Sequence, residues 1–464
     1  MSDASTIIER IGAEGIRTVD FRFTDLAGRW RHVGRDAGGV DAQLLGEGMF
    51  IDGSSIPGWR DVTEADLVLK PDLASGFVDP FSAQPTLVLF CDATEPGTGL
   101  GYERDPRSAA QRAEAYLRGA RYADEVRIAA ELIFCVFDEA KVELGPMRAL
   151  YQLSSSEHRG TGALREGYRP GPEAAYLVLP PSDQMADVRA EIASVMAGLG
   201  LPGLQQAHGR AAGQNQVCFS ASGLVEAADR VQMLKYVIHQ VAASYGKIAT
   251  FMPKPVTDEA GSGMSIHQAL WRDGRPTFGG QGYADLSQQS LQFIAGIMAH
   301  ARALNAFTNP TTNSYKRLRP GQDEPTLIAY AAHNRSAAIR IPYAARAEDK
   351  RVEVRFPDPT ANPYLAFAAI LMAGLDGIEN RLEPGDAMDR NLYDLRPDEA
   401  EDLASVSRSL GEALDALEAD HEFLARGEVL PTDLVEAYVE VKRRECDLVD
   451  RSPHPIEFQL HLSL

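Results

Sequence analysis

One stretch carries the densest chemistry in the sequence: Lys350-Arg351-Val352-Glu353-Val354-Arg355-Phe356-Pro357-Asp358-Pro359. Side chains on an extended strand alternate between its two faces. Arg351, Glu353 and Arg355 therefore share one face, and Val352, Val354 and Phe356 share the other. The apolar face belongs to a core. A carboxylate between two guanidiniums suits a metal ion beside anionic groups, because arginine makes forked hydrogen bonds to phosphate or carboxylate. The alternative is an exposed strand that carries its own ion pairs.

Local cations matter here because the chain as a whole is acidic, with 46 Lys and Arg against 66 Asp and Glu and a formal charge of −20. That balance argues against a nucleic acid or an anionic membrane as partner and makes a small anionic substrate depend on clustered arginines. Hydrophobic residues at 44% and charged residues at 24% are those of a soluble globular protein, and 464 residues imply two domains. Met1–Arg10 is polar and acidic, unlike a signal peptide. No apolar run approaches the ~20 residues that span a bilayer. Cys91, Cys135, Cys218 and Cys446 lack CxxC spacing, which implies neither a disulfide framework nor a thiolate zinc site. A cytoplasmic protein is expected.

The elements that must position these residues are legible as alternating patterns. Residues 1–17 predict an amphipathic helix, Thr18–Phe23 a strand, and Asp25–Gly28 a hairpin turn into Arg29–Val33. Asp66–Lys70 and Thr86–Cys91 are further strands, so the first ~100 residues read as a small α+β domain. Glu95–Gly101 is the best boundary, with a capped helix beyond it at Asp105, which divides the chain into 1–104 and 105–464. In the larger part the pattern predicts strands at 127–137, 214–220, 247–252, 263–269, 337–342 and 351–356. Helices are predicted at 106–120, 184–199, 223–244, 287–306, 363–378, 399–419 and 431–447. Several strands are polar on one face, as a curved sheet lining a cleft would be.

A series of segments in order gives the chain a resemblance. They are Phe50-Ile-Asp-Gly-Ser-Ser-Ile-Pro-Gly58, Asp79-Pro-Phe81, Cys91-Asp-Ala-Thr-Glu-Pro-Gly-Thr98, Ala212-Gly-Gln-Asn215, Thr250-Phe-Met-Pro-Lys-Pro255 and Gly261-Ser-Gly-Met264. After them come Asn334-Arg-Ser336, Ile339-Arg-Ile-Pro342, Arg351–Pro359, Ala361-Asn-Pro-Tyr364, Asn391-Leu-Tyr-Asp-Leu395 and Ser452-Pro-His-Pro455. With these the sequence resembles bacterial type I glutamine synthetase over essentially its whole length. The resemblance implies an N-terminal β-grasp domain, a larger C-terminal catalytic domain, and a hexameric ring or a dodecamer of two such rings. It implies ATP-dependent phosphorylation of glutamate and displacement of the phosphate by ammonia, with two divalent ions, Mg²⁺ or Mn²⁺, holding the phosphate oxygens.

Position by position, Glu131 and Glu353 fall where the family has metal ligands. Arg317, Arg335, Arg340, Arg351 and Arg355 fall on the arginines that hold glutamate and phosphates, Arg335 with a catalytic role and Arg340 and Arg351 toward the nucleotide. His267 matches a nucleotide-site histidine. Asp52 and Ser55, on a loop that a neighbouring subunit donates, match the ammonium site, and Tyr176 its aromatic partner. Asp323 stands for the flap glutamate, and Gly261 for a glycine of the glutamate loop. Tyr393 matches a tyrosine that the family adenylylates; the competing reading is an ordinary loop tyrosine.

The departures fall in one place. The family's second strand carboxylate becomes Ile133, its next two carboxylate ligands become His208 and Gln216, a metal histidine becomes Ser265, and the loop asparagine becomes Ala260. Gln216 offers a neutral oxygen that cannot neutralise a dication. Three functions follow. The first is an ATP-dependent γ-glutamyl ligase whose amine is not ammonia, as in relatives acting on methylamine, ethanolamine, polyamines or anilines, with ordinary glutamine synthesis weak or absent. The second is a catalytically silent homologue acting as a binding or regulatory protein. The third is a repurposed single-metal hydrolase or oxygenase, in which Glu131, His208 and Glu353 hold Zn²⁺, Fe²⁺ or Mn²⁺.

Overall fold

The computed structural model describes residues 3–158, 169–170, 174–320, 324–396, 399–400 and 403–461. Two sheets organise them. The first runs in the order Trp30–Asp36, Thr18–Thr24, Thr86–Thr94, Asp66–Pro71, Met49–Asp52, with Phe77–Val78 also paired to Thr86–Thr94. Its central pair, Thr18–Thr24 and Thr86–Thr94, is parallel and its other pairings are antiparallel, the arrangement of a β-grasp. Gly28 turns the first hairpin at a positive φ, and a side chain there would meet the Asn362 backbone at 3.0 Å.

The second sheet is larger and lies wholly beyond residue 124. Its order is Gln205–His208, Gln214–Cys218, Glu125–Phe137, Met264–Arg272, Val352–Val354, Ile339–Ile341, Tyr330–Ala332. Along Glu125–Phe137, Val126, Ile128, Ala130, Leu132 and Phe134 are buried, while Arg127, Ala129, Glu131 and Ile133 are partly open on the other face. The buried face rests on helices Pro106–Gly119 and Leu224–Ser244, and against these packs Pro363–Glu379, which is apolar almost all round. That helix lies against Gln288–Ala299 so closely that a Cβ on Gly296 would sit 2.0 Å from the Ala373 carbonyl oxygen. Only glycine permits the contact.

The two sheets are riveted together by Arg107, which opens the second half of the chain in helix Pro106–Gly119 and is 3% exposed. Its guanidinium reaches Asp72 at 2.7 Å and Asp92 at 2.8 Å on the first unit, and Asp229 of helix Leu224–Ser244 at 2.9 Å. The Tyr364 hydroxyl donates to the same Asp229.

Several elements depart from the sequence reading. The helix predicted over 287–306 is broken at His300, whose ring nitrogens lie on Asp376 and Asp420 and whose backbone leaves helical geometry. The helix predicted over 399–419 includes an ordered helix at Leu410–Ala419, because Ser409 caps it and Ser405 instead bridges to Leu327. A hairpin, Glu139–Gly145 with Arg148–Ser154, was not predicted; it exposes Val142, Leu144, Met147 and Tyr151. Among the described residues no helix is long and apolar enough to cross a membrane.

Candidate active site

Antiparallel register gathers the site on the open face of the second sheet. Glu131 lies opposite Ser265 on one side and Cys218 on the other. Ile133 lies opposite Gln216, and Glu353 lies between His267 and Arg340. Strand alternation thus places Glu131, Glu353, His267, Gln216 and Cys218 on one surface.

Glu353 is 3% exposed and accepts from Arg340 at 2.7 Å and from Arg355 at 3.1 Å. Burial would raise its pKa, but His267, Arg355 and Arg340 outweigh burial and hold it below the usual carboxylate value. Glu131 behaves oppositely. Burial, then repulsion from Glu353, push its pKa up against the pull of Arg355, Arg335 and Arg340. No hydrogen bond or ion pair reaches Glu131 among the described residues. A half-buried carboxylate without a hydrogen-bond partner, repelled by a second carboxylate on the same surface, fits a nearby cation. His267 is held neutral, its pKa lowered to about 4 chiefly by burial, and its Nδ1 has no partner. The Cys218 thiol, beside Glu131, is pushed up to about 11 by burial and that carboxylate.

The other sequence-predicted residues are more scattered. Arg317 is 3% exposed and spends its guanidinium on the Phe356, Pro357 and Arg355 carbonyls and on Glu324 at 2.8 Å. It is a strut under the strand Val352–Val354 rather than a free anion holder. Gly261 serves the same strut, since a Cβ there would lie 2.7 Å from Arg317 Cγ. Arg335 is exposed, and its carbonyl accepts from the Tyr393 hydroxyl at 3.1 Å. Arg351 lines a cavity of about 500 Å³ with His267. Asp52 is exposed, accepts from Ser54 and from Ser55 Oγ at 2.9 Å, and has a lowered pKa because of these bonds. Tyr176 is half exposed. Asp323 lies outside the described residues.

The relocated-histidine set of Glu131, His208 and Glu353 is not formed. His208 pairs in register with Asn215, one residue from Gln216, and so points to the opposite face of the sheet. There its Nε2 is 2.9 Å from Glu157 and its Nδ1 is 2.9 Å from the Gly209 carbonyl, all fully buried. Both nitrogens face acceptors, so the imidazolium satisfies both. Burial lowers the His208 pKa, but the hydrogen bond and charge of Glu157 overcome it and the net shift is upward. Asp183 is close enough to Glu157 and His208 to share an ion with them. It is already paired with Arg189, however, and Glu157 also accepts from the Gln184 and Gly213 amides. Two adjoining buried ion pairs account for the cluster.

Sequence reasoning missed Glu157, Asp183 and Arg189, which only tertiary packing brings to His208. For metals, the donor set fits one divalent ion at Glu131 and Glu353. With Ile133 and Gln216 facing each other and His208 turned away, it does not fit a second.

Comparison with known proteins follows the same lines. Residues 15–96 match the family described as "Glutamine synthetase, beta-Grasp domain" and residues 103–461 match "Glutamine synthetase, catalytic domain". The chain is 47% identical to the glutamine synthetase of Rhizobium meliloti over 471 residues, covering all of both. It is 46% identical to that of Salmonella typhimurium, covering 99% of this chain and 100% of the other. Among solved structures, the Plasmodium falciparum glutamine synthetase superposes with a TM-score of 0.90 at 24% identity, over 99% of both chains. An ADP complex of a protein named GmaS superposes with a TM-score of 0.84 at 29% identity, over 100% of both.

Proposed function

From the premise that this chain belongs to the glutamine synthetase family, we propose that it is a cytoplasmic ATP-dependent carboxylate–amine ligase that uses one divalent ion and an amine other than ammonia. The observation that supports this most is the partnerless Glu131 beside an Arg340–Glu353–Arg355 cluster. On this reading the nucleotide's γ-phosphoryl group passes to the carboxylate of a glutamate-like substrate. The amine nitrogen then forms the new C–N bond as phosphate leaves.

Arg335, Arg340, Arg351 and Arg355 orient and neutralise the anionic groups. Neutral His267 lies where it accepts or donates a hydrogen bond without adding charge. Mg²⁺ or Mn²⁺ held by Glu131 and Glu353 would polarise phosphoryl oxygens. Asp52 and Ser55, from a neighbouring subunit, would receive the amine. A silent, anion-binding homologue is the second reading, favoured by the neutral Ile133–Gln216 pair at a metal position.

Calorimetry separates these readings. Nucleotide binding that requires one Mg²⁺ per site, with the requirement lost in Glu131→Gln, is the expected result. No binding to nucleotide or metal would favour the silent homologue. A transition metal held tightly without nucleotide would revive a repurposed metal enzyme.

Assembly is proposed as a hexameric ring or a dodecamer. The strand Met49–Asp52, the segment after it and the helix Pro455–His461 display apolar side chains to solvent, among them Phe50, Val62, Ile456, Phe458 and Leu460. A groove of about 880 Å³ beside the exposed hairpin is likewise lined by apolar side chains, among them Val142, Tyr151 and Ile248. Exposed apolar area on this scale is the mark of an interface. Sedimentation at micromolar concentration should show a species of at least six subunits; a stable monomer would end this proposal.

A further inference from the structure

His300 stands at the break between helices Gln288–Ala299 and Ala301–Thr308, with its ring set between two carboxylates. Nε2 lies 3.1 Å from Asp376 of helix Pro363–Glu379. Nδ1 lies 2.8 Å from Asp420, the C-terminal cap of helix Leu410–Ala419. The ring stacks on Phe423 of helix Glu422–Ala425, with centroids 3.8 Å apart. His300 is itself the C-terminal cap of Gln288–Ala299, a place where the helix dipole favours a cation. Its charged surroundings are otherwise committed. Arg426 lies 2.7 Å from both Asp376 and Glu379, and Tyr116 donates to Glu379 at 2.9 Å. Arg302 turns to Glu412, Glu418 to Arg443, and His421 to the Glu418 carbonyl, while Glu422 is exposed.

The two carboxylates on the ring are not equivalent. The Asp376 side chain is 8% exposed and also accepts from Arg426 and from Asn380 at 2.9 Å. The Asp420 side chain is 42% exposed. An imidazolium has two N–H groups and satisfies both carboxylates, whereas a neutral ring has one N–H and presents a lone pair to the other. Buried Asp376 cannot exchange its donor for water; Asp420 can. We propose that His300 is a pH-released latch, which ties the helix break to Asp420 while protonated and lets that turn go once neutral. The proton that remains stays on Nε2 toward Asp376, and the Nδ1 lone pair turns Asp420 out to solvent. Burial pulls the His300 pKa down, but the bonds to Asp420 and Asp376 outweigh it and the net shift is upward. The tie therefore contributes fully below the unfolded pKa, about 6.5, and is lost as pH rises through the higher folded value.

Hydrogen exchange of peptides spanning residues 418–426, corrected for its intrinsic pH dependence, follows the latch in the whole protein from about pH 6 to about pH 9. Loss of a hydrogen bond to a charged group should quicken exchange there by about ten- to hundredfold across that range. His300→Gln, neutral at every pH, should show no such step. Asp420→Asn changes an exposed position and tests the latch even if His300→Gln does not fold. Its amide can accept from the imidazolium or donate to the neutral ring, so protection should persist and the step should vanish. Flat exchange in the unaltered protein, or quickening toward acid, would overturn the latch. A step that survives in either variant would also overturn it, since another group such as His421 would then be responsible.

Discussion

Given glutamate, ATP, ammonia and Mg²⁺, the protein is expected to form glutamine more than ~1000-fold below the usual enzyme turnover of about 1–1000 per second. Ile133 and Gln216 face each other where a second ion would need carboxylates, Ser265 offers no imidazole beside Glu131, and His208 points away. A catalytic dication stabilises transition-state charge by several kcal/mol, and each ~1.4 kcal/mol is tenfold in rate. Losing one ion therefore accounts for three or more powers of ten. The register also names the repair. Ile133→Glu with Gln216→Glu places two carboxylates side by side near Glu131, and metal titration should then show one additional divalent ion per subunit. Turnover in the ordinary range from the unaltered protein would refute the single-ion reading, and an unchanged ion count in the double variant would refute the repair.

The second large effect concerns stability. His208→Ala should cost about 3–5 kcal/mol, because removing one partner of a buried ion pair leaves the other charge uncompensated, here Glu157 with 0% side-chain exposure. Metal content should not change. The pH dependence follows from the raised pKa of His208. A group that binds its proton more tightly when folded contributes fully below its unfolded pKa, about 6.5. That contribution is lost as pH rises through the higher folded value. The gap between His208→Ala and the unaltered protein should thus be widest in mild acid and narrow in alkali, measured by denaturant melts at several pH values. A gap that widens with pH, or bound metal lost with the imidazole, would contradict this assignment.

His208 also shows where the sequence stops being informative. Its motif position is that of a ligand, but a side chain's face is decided by register, and Asn215 rather than Gln216 is its partner. Its true partner, Glu157, lies 51 residues away in sequence. Arg317 misleads similarly: an arginine in a site motif says nothing of the carbonyls that absorb its donors. By contrast, Glu353 was legible from strand alternation, which is a local rule, while Glu131 and His267 were legible only through the family resemblance. The hairpin Glu139–Ser154 was not, since its exposed apolar face mimics no core strand.

Arg107 has a consequence for motion. Domain closure around a ligand needs a hinge, and hinges sit where few strong contacts cross between units. Here a guanidinium bound to Asp72, Asp92 and Asp229 crosses the seam, and rocking one unit against the other would strip a buried charge of its partners. That contact opposes rocking of one unit against the other, so opening the cleft costs less through its loops than through rotation of a whole unit.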